Sequence, residues 1–266
     1  MSVRRLALLW SSLLWWSALS PAQADDALQT RIRKSDVVLK PNGAGPFPAA
    51  ILLHGCSGPS TNLKTWAERL RDWGYLTLRM NSFAARELKT VCGGLILEER
   101  ERVPDVLAAV AYLRTRKDVV ADRLAIMGWS HGAGATLMSL SALHKDLKQT
   151  VRAAIAFYPG CRRVQPWRDD IPTLMLLGEV DNWTPPASCQ YLAKRQRGAG
   201  YDVTEITYPG AYHAFDSATL GPEERRVSVA NGGKGATIQY NPAAAQDSVI
   251  RVREFLAKHL ASEGSR

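Results

Sequence analysis

After residue 24 the 266-residue chain contains no apolar run approaching the roughly 20 residues that a membrane-spanning helix needs, which excludes a later transmembrane segment. Cysteine is scarce. Cys56, Cys92, Cys161 and Cys189 are the only four, and no two stand at the short spacing of a zinc ligand pair. No metal or organic cofactor is implied. No internal repeat and no Pro/Ser-rich linker divides the chain, so a solenoid or a string of small modules is not indicated. The formal charge is +9, with its densest cluster at Lys194-Arg195-Gln196-Arg197. That excess lacks aromatic interleaving or a nucleic-acid motif, so it reads as a solvated basic face and no nucleic-acid partner is expected.

The first 24 residues lack any acid. Arg4 and Arg5 form a short positive region, Leu6 to Leu19 is apolar, and Ala22-Gln23-Ala24 offers a small-residue cleavage site. The apolar run is too short to span a bilayer, and Pro21 closes it. The expectation is a signal peptide over residues 1–24 and an exported, periplasmic or secreted protein without stable membrane insertion after cleavage. Loss of Arg4 and Arg5 lowers the formal charge to +7 and leaves residues 25–266 as a single domain. An oxidising compartment and an even cysteine count suggest two disulfides. Three pairings are possible. Cys56 and Cys92 follow strands of the first half, Cys161 and Cys189 strands of the second, which favours Cys56–Cys92 and Cys161–Cys189.

Short apolar runs alternate with helical patterns. Strands are expected at 36–39, 47–53, 75–80, 123–127, 153–158, 173–177 and 203–208, with helices over about 61–72, 98–116, 133–144, 187–197 and 242–259. In the second helix Val103, Leu107, Val110 and Leu113 form the expected apolar face, and Pro104 is tolerable only near its start or at a break. Continuous apolar strands alternating with helices mean a mostly parallel central sheet with helices on both faces, an α/β fold. Residues 217–240, rich in glycine and charge, read as an irregular insertion.

The strand ending at Met127 runs into Gly128-Trp129-Ser130-His131-Gly132, and a helix runs out of it. A serine on such a turn is held with its hydroxyl above the sheet, a nucleophile elbow. A serine hydroxyl needs a base, and the base needs an acid that fixes its tautomer. Asp181 lies just past the strand ending near Gly178 and fits the acid, ahead of the alternative that it only caps the following helix; Glu179 is its nearest competitor but stands closer to the strand end. Five histidines are present. His259 and His144 sit at helix ends, His131 cannot reach back over its own turn, and His54 precedes an apparent oxyanion loop. His213, in a turn after the last strand, remains as the base. The oxyanion donors are expected from the backbone N–H of His131 and from the His54-Gly55-Cys56-Ser57-Gly58 loop, at Cys56.

The His54–Gly58 loop, the Gly128–Gly132 elbow, the Asp181 segment and Tyr212-His213-Ala214-Phe215 together resemble the dienelactone hydrolase family of α/β-hydrolases, over roughly residues 35–260. The resemblance implies the α/β-hydrolase fold and hydrolase chemistry. It differs from members that open dienelactones in having Ser130 where they use cysteine, and the His54–Gly58 loop where they carry a glutamate that controls the thiol. It assigns Arg86 to the arginine that holds a substrate carboxylate. Trp129, Trp167 and Trp183 are candidates to line the pocket.

The resulting expectation is a serine hydrolase acting on small-molecule carboxylic esters or lactones through an acyl-serine, with Ser130, Asp181 and His213 as its triad. Two rivals are a peptidase of the prolyl-oligopeptidase type, for whose extra gating domain residues 25–266 leave no room, and a non-catalytic binding protein that keeps the fold.

Overall fold

The computed structural model describes residues 30, 34–94, 96–142, 149–167 and 170–261. The expected leader and His144 lie outside these. Among the described residues no helix is long and apolar enough to cross a membrane.

Seven strands form the central sheet: β1 (Val37–Leu39), β2 (Phe47–Leu53), β3 (Leu76–Met80), β4 (Val119–Trp129), β5 (Val151–Phe157), β6 (Thr173–Gly178) and β7 (Val203–Tyr208). Their order is β1-β3-β2-β4-β5-β6-β7. Only β1 runs antiparallel, against β3; every other pair is parallel. This is the mostly parallel α/β sheet expected from the alternation, in the α/β-hydrolase architecture that the family resemblance implies. Parallel strands are buried on both faces, and β2 shows it residue by residue. Ala49, Ile51 and Leu53 enter one core with Val106, Val110 and Leu137, whereas Ala50 and Leu52 enter the other with Trp66, Leu70 and Leu256. Each fully buried leucine contributes roughly 1.5–3 kcal/mol.

The first core lies beneath helices α2 (Val103–Arg114), α3 (His131–Ala142) and α4 (Ala187–Gly198), the second beneath α1 (Thr61–Asp72) and α5 (Pro242–Leu260). Ser60 starts α1 by accepting the Leu63 N–H at 3.2 Å, and Asn241 does the same for α5 through Ala244. The long helix expected over 98–116 is two elements. A 3-10 turn over Glu99–Arg102 precedes α2, and Pro104 sits in the first turn, where a missing N–H costs nothing. The buried stripe is accordingly Val106, Ala109, Val110 and Leu113, with Val103 and Leu107 only half-buried.

β4 is longer than the 123–127 expected. Val119 pairs with Phe47 at one end, and Gly128 and Trp129 continue pairing with Leu53 and Phe157 at the other. The pairing therefore holds the strand straight until the residue before Ser130. The insertion is less irregular than its composition suggested. β8 (Arg225–Val227) and β9 (Ala236–Ile238) form an antiparallel ribbon, and Ile238 bridges to His213. The cysteines are joined as Cys56–Cys92 and Cys161–Cys189, the pairing favoured by their strand positions.

Candidate active site

Ser130 follows β4 directly and has φ 51°, the left-handed region that a non-glycine residue rarely occupies. The turn closes because its flanking glycines lack side chains. A Cβ on Gly128 would meet the backbone of Gly132, and one on Gly132 would stand 2.5 Å from the His54 carbonyl oxygen and closer to that of Leu53. The end of β2 and the start of α3 are thus pressed together, and Gly55 lies against the Ser130 side chain.

The ends of β6 and β7 supply the partners. Asp181 is buried and divides its two oxygens. Oδ1 accepts the N–H groups of Trp183 (2.8 Å) and Thr184 (2.9 Å), and Oδ2 accepts from His213 Nδ1 at 2.7 Å. It ties its own loop and holds the imidazole at once. Burial pushes the Asp181 carboxyl upward, but the adjoining His213 and these hydrogen bonds more than offset that and keep it below the usual carboxylate range. An ionised carboxylate only accepts, so Nδ1 of His213 carries the proton and Nε2 is left as an acceptor, 2.9 Å from Ser130 Oγ. Glu179 accepts the Gly210 N–H and is not part of this chain of contacts.

Several neighbours, Trp183 apart, were not legible as site residues. Thr184 Oγ1 lies 2.9 Å from Asp181 Oδ2 and 3.1 Å from His213 Nδ1. Rings of Tyr158 and Trp183 flank the imidazole at 4.6 and 4.9 Å. Asp216, three residues past His213, is buried and accepts four hydrogen bonds: from Trp66 Nε1, Trp129 Nε1 and Asn62 on Oδ2, and from the Tyr158 hydroxyl on Oδ1. These contacts join α1, the elbow and the residue after β5. A motif search has no reason to select an aspartate whose role depends on four donors distant in sequence.

Arg102 is another such residue. It is fully buried, and its Nη1 donates to the His54 carbonyl (2.8 Å) and to His131 Nδ1 (3.1 Å), so His131 Nε2 donates to the Leu97 carbonyl at 2.9 Å. The cation therefore links the two segments that carry the expected oxyanion donors. Burial lowers its pKa to about 10, which leaves it charged at neutral pH. Burial, reinforced by Arg102, holds His54 well below the ordinary histidine value, and the same two causes lower His131. Both remain neutral, and neither reaches Ser130 as a base.

Ser130 stands where two cavities of about 290 and 310 Å³ meet, with Cys56 and Trp183 bordering both. His131 borders the second and Trp129 the first. Trp167 is buried in the core beneath α3 and α4 and is not brought to either. Arg86 is also not brought there. Its guanidinium is bidentate on Asp105, at 2.7 and 2.9 Å, and donates to the Ser82 carbonyl, because the 3-10 turn at Ala84–Arg86 aims it toward α2. Among the described residues no group of three or more His, Cys, Asp or Glu is placed to hold a metal ion.

Residues 35–260 match the model of the Dienelactone hydrolase family. A protein of Escherichia coli O157:H7 bearing the name "Putative carboxymethylenebutenolidase" is 28% identical over 239 residues, 80% of this chain and 81% of its own. Among solved structures, the dienelactone hydrolase-like promiscuous phosphotriesterase P91 from metagenomic libraries superposes with a TM-score of 0.64 at 15% identity, covering 85% of this chain and 99% of its own. The butyrate-bound esterase of Thermogutta terrifontis gives 0.59 at 16% identity, covering 86% and 91%. At these identities the structural likeness speaks for the fold alone.

Proposed function

The chain belongs to the dienelactone hydrolase family, and we propose that it is an exported serine hydrolase that cleaves carboxylic esters or lactones through an acyl-serine intermediate. The observation that carries this reading is His213 bridging Asp181 at 2.7 Å and Ser130 at 2.9 Å. The Ser130 hydroxyl attacks the ester carbonyl carbon while His213 Nε2 takes its proton. Asp181 holds the tautomer and stabilises the imidazolium. The Cys56 and His131 N–H groups donate to the oxyanion, each worth about 3 kcal/mol in the transition state. As the tetrahedral intermediate collapses, the imidazolium protonates the leaving alkoxide. A water, deprotonated by the same nitrogen, then releases the acid and restores Ser130.

Serine in place of the cysteine of dienelactone-opening relatives directs the reading toward ordinary esters. The two disulfides are consistent with an oxidising compartment, and residues 1–24 are assigned as the export signal. Mass analysis of exported protein should find a chain beginning at Asp25. The central test is Ser130→Ala, which should abolish turnover of a short p-nitrophenyl ester and covalent labelling by a fluorophosphonate while leaving the circular dichroism spectrum unchanged. Undiminished turnover by this variant would refute the mechanism.

A further inference from the structure

The 217–240 insertion supplies one wall of the first cavity. Leu220, Val227 and Ile238 line it together with Leu63, Trp129 and Tyr158. This wall is fastened to the loops that carry the acid and the base. Asn182, next to Asp181, accepts the Thr237 N–H at 2.8 Å on its side chain and the Asn231 amide at 2.9 Å on its carbonyl. The Gln239 N–H donates to the His213 carbonyl at 3.2 Å. The cavity is therefore preformed relative to Ser130 rather than enclosed by a free loop.

Its chemistry is one-sided. None of the described residues lining it is Lys, Arg, Asp or Glu. The second cavity offers a carboxylate nothing better. Arg163 is paired there with Glu98 at 3.2 Å, and Glu99 adds a second negative charge. Arg86 is committed to Asp105. A substrate carboxylate would thus give up part of its hydration without gaining an unpaired cation. A volume of about 290 Å³ is at the small end of ligand cavities, which run from about 300 to 1,000 Å³.

We propose that this site selects uncharged esters that bury a compact apolar group, a single aromatic ring or a short branched alkyl chain, beneath the insertion, and that it rejects esters and lactones bearing a carboxylate. The inference rests on the serine hydrolase reading above and narrows its substrate class.

The test compares kcat/KM for phenyl acetate and 4-acetoxybenzoate, which differ by one carboxylate on the aryl ring. The wild-type enzyme should favour phenyl acetate by about 100-fold or more. Val227→Arg, which places a cation in the wall at the half-buried edge of β8, should shrink that ratio by about tenfold. Val227→Ala, a milder change that keeps the ribbon, should raise turnover of 1-naphthyl acetate relative to phenyl acetate. A wild-type ratio within about threefold, or a Val227→Ala enzyme with an unchanged size preference, overturns the inference. Fluorophosphonate labelling of Ser130 is measured in parallel. Labelling with the carboxylate ester preferred defeats the substrate assignment alone, whereas no labelling and no turnover of either ester defeats the hydrolase reading and this inference with it.

Discussion

Gly132→Ala probes the contact on which the proposed oxyanion site depends. A Cβ there would stand 2.5 Å from the His54 carbonyl oxygen and 2.8 Å from the Leu53 carbonyl carbon, where real Cβ atoms keep at least 3.0 Å. The obstructing atoms are backbone at the end of β2, which is paired on both sides and cannot rotate away. The start of α3 must therefore move outward by at least 0.5 Å, carrying the His131 N–H away from that of Cys56. Overpacking of this kind costs about 1–3 kcal/mol of stability. A displacement approaching 1 Å at a catalytic group costs about 100-fold in rate. Denaturant unfolding and kcat/KM on a short ester measure the two effects, and the fall should lie in kcat rather than KM. Gly198→Ala is the control. It ends α4 with nothing within 4 Å of its Cβ position, and it should be neutral or stabilising by up to about 1 kcal/mol. Wild-type stability and turnover in Gly132→Ala would refute the argument that this close approach sets the oxyanion geometry.

Other consequences follow from the same contacts. Asp181→Asn should lower kcat by about 10⁴, the scale seen when a triad loses its tautomer control, with little change in far-UV spectrum; a loss below tenfold would argue against its role. His54 is held neutral by burial, so its folded pKa lies below the unfolded value of about 6.5. The unfolded chain then binds the proton more readily, and stability present above pH 6.5 is lost as pH falls below it, by up to about 1.4 kcal/mol per unit. His54→Gln should flatten that slope in unfolding experiments between pH 6.5 and 5, and parallel profiles would contradict it. Removing the Cys56–Cys92 bridge, which closes a separation of 36 residues, should cost roughly 3–4 kcal/mol in a chain-entropy treatment. Because Cys56 is also the proposed oxyanion donor, the double alanine variant should lose kcat more than it raises KM; an unchanged kcat would separate the bridge from the chemistry.

What the sequence by itself determined was whatever depends on local pattern and chain order. Apolar runs and helical periods marked the seven strands and the helices between them, since a doubly covered parallel sheet demands continuous apolar strands. The elbow was legible because a strand, two glycines around a serine and a helix are contiguous. Asp181 and His213 could be singled out because this architecture brings successive strand ends to one edge, and the disulfide pairing followed from the same rule. The tertiary structure decided everything resting on residues distant in the chain. It joined β8 and β9 out of a segment with no periodicity, seated them on Asn182 and His213, and so made the insertion a cavity wall. It turned Arg86 onto Asp105 and away from the pocket, gathered four donors on Asp216, and set buried Arg102 between His54 and His131. Hydrogen bonding and burial depend on the neighbours in space, and for these residues the neighbours are separated by tens of positions that no local pattern connects. Ser130, Asp181 and His213 are named by order along the chain; what the cavity beside them will accept is set by the packing of the insertion above it.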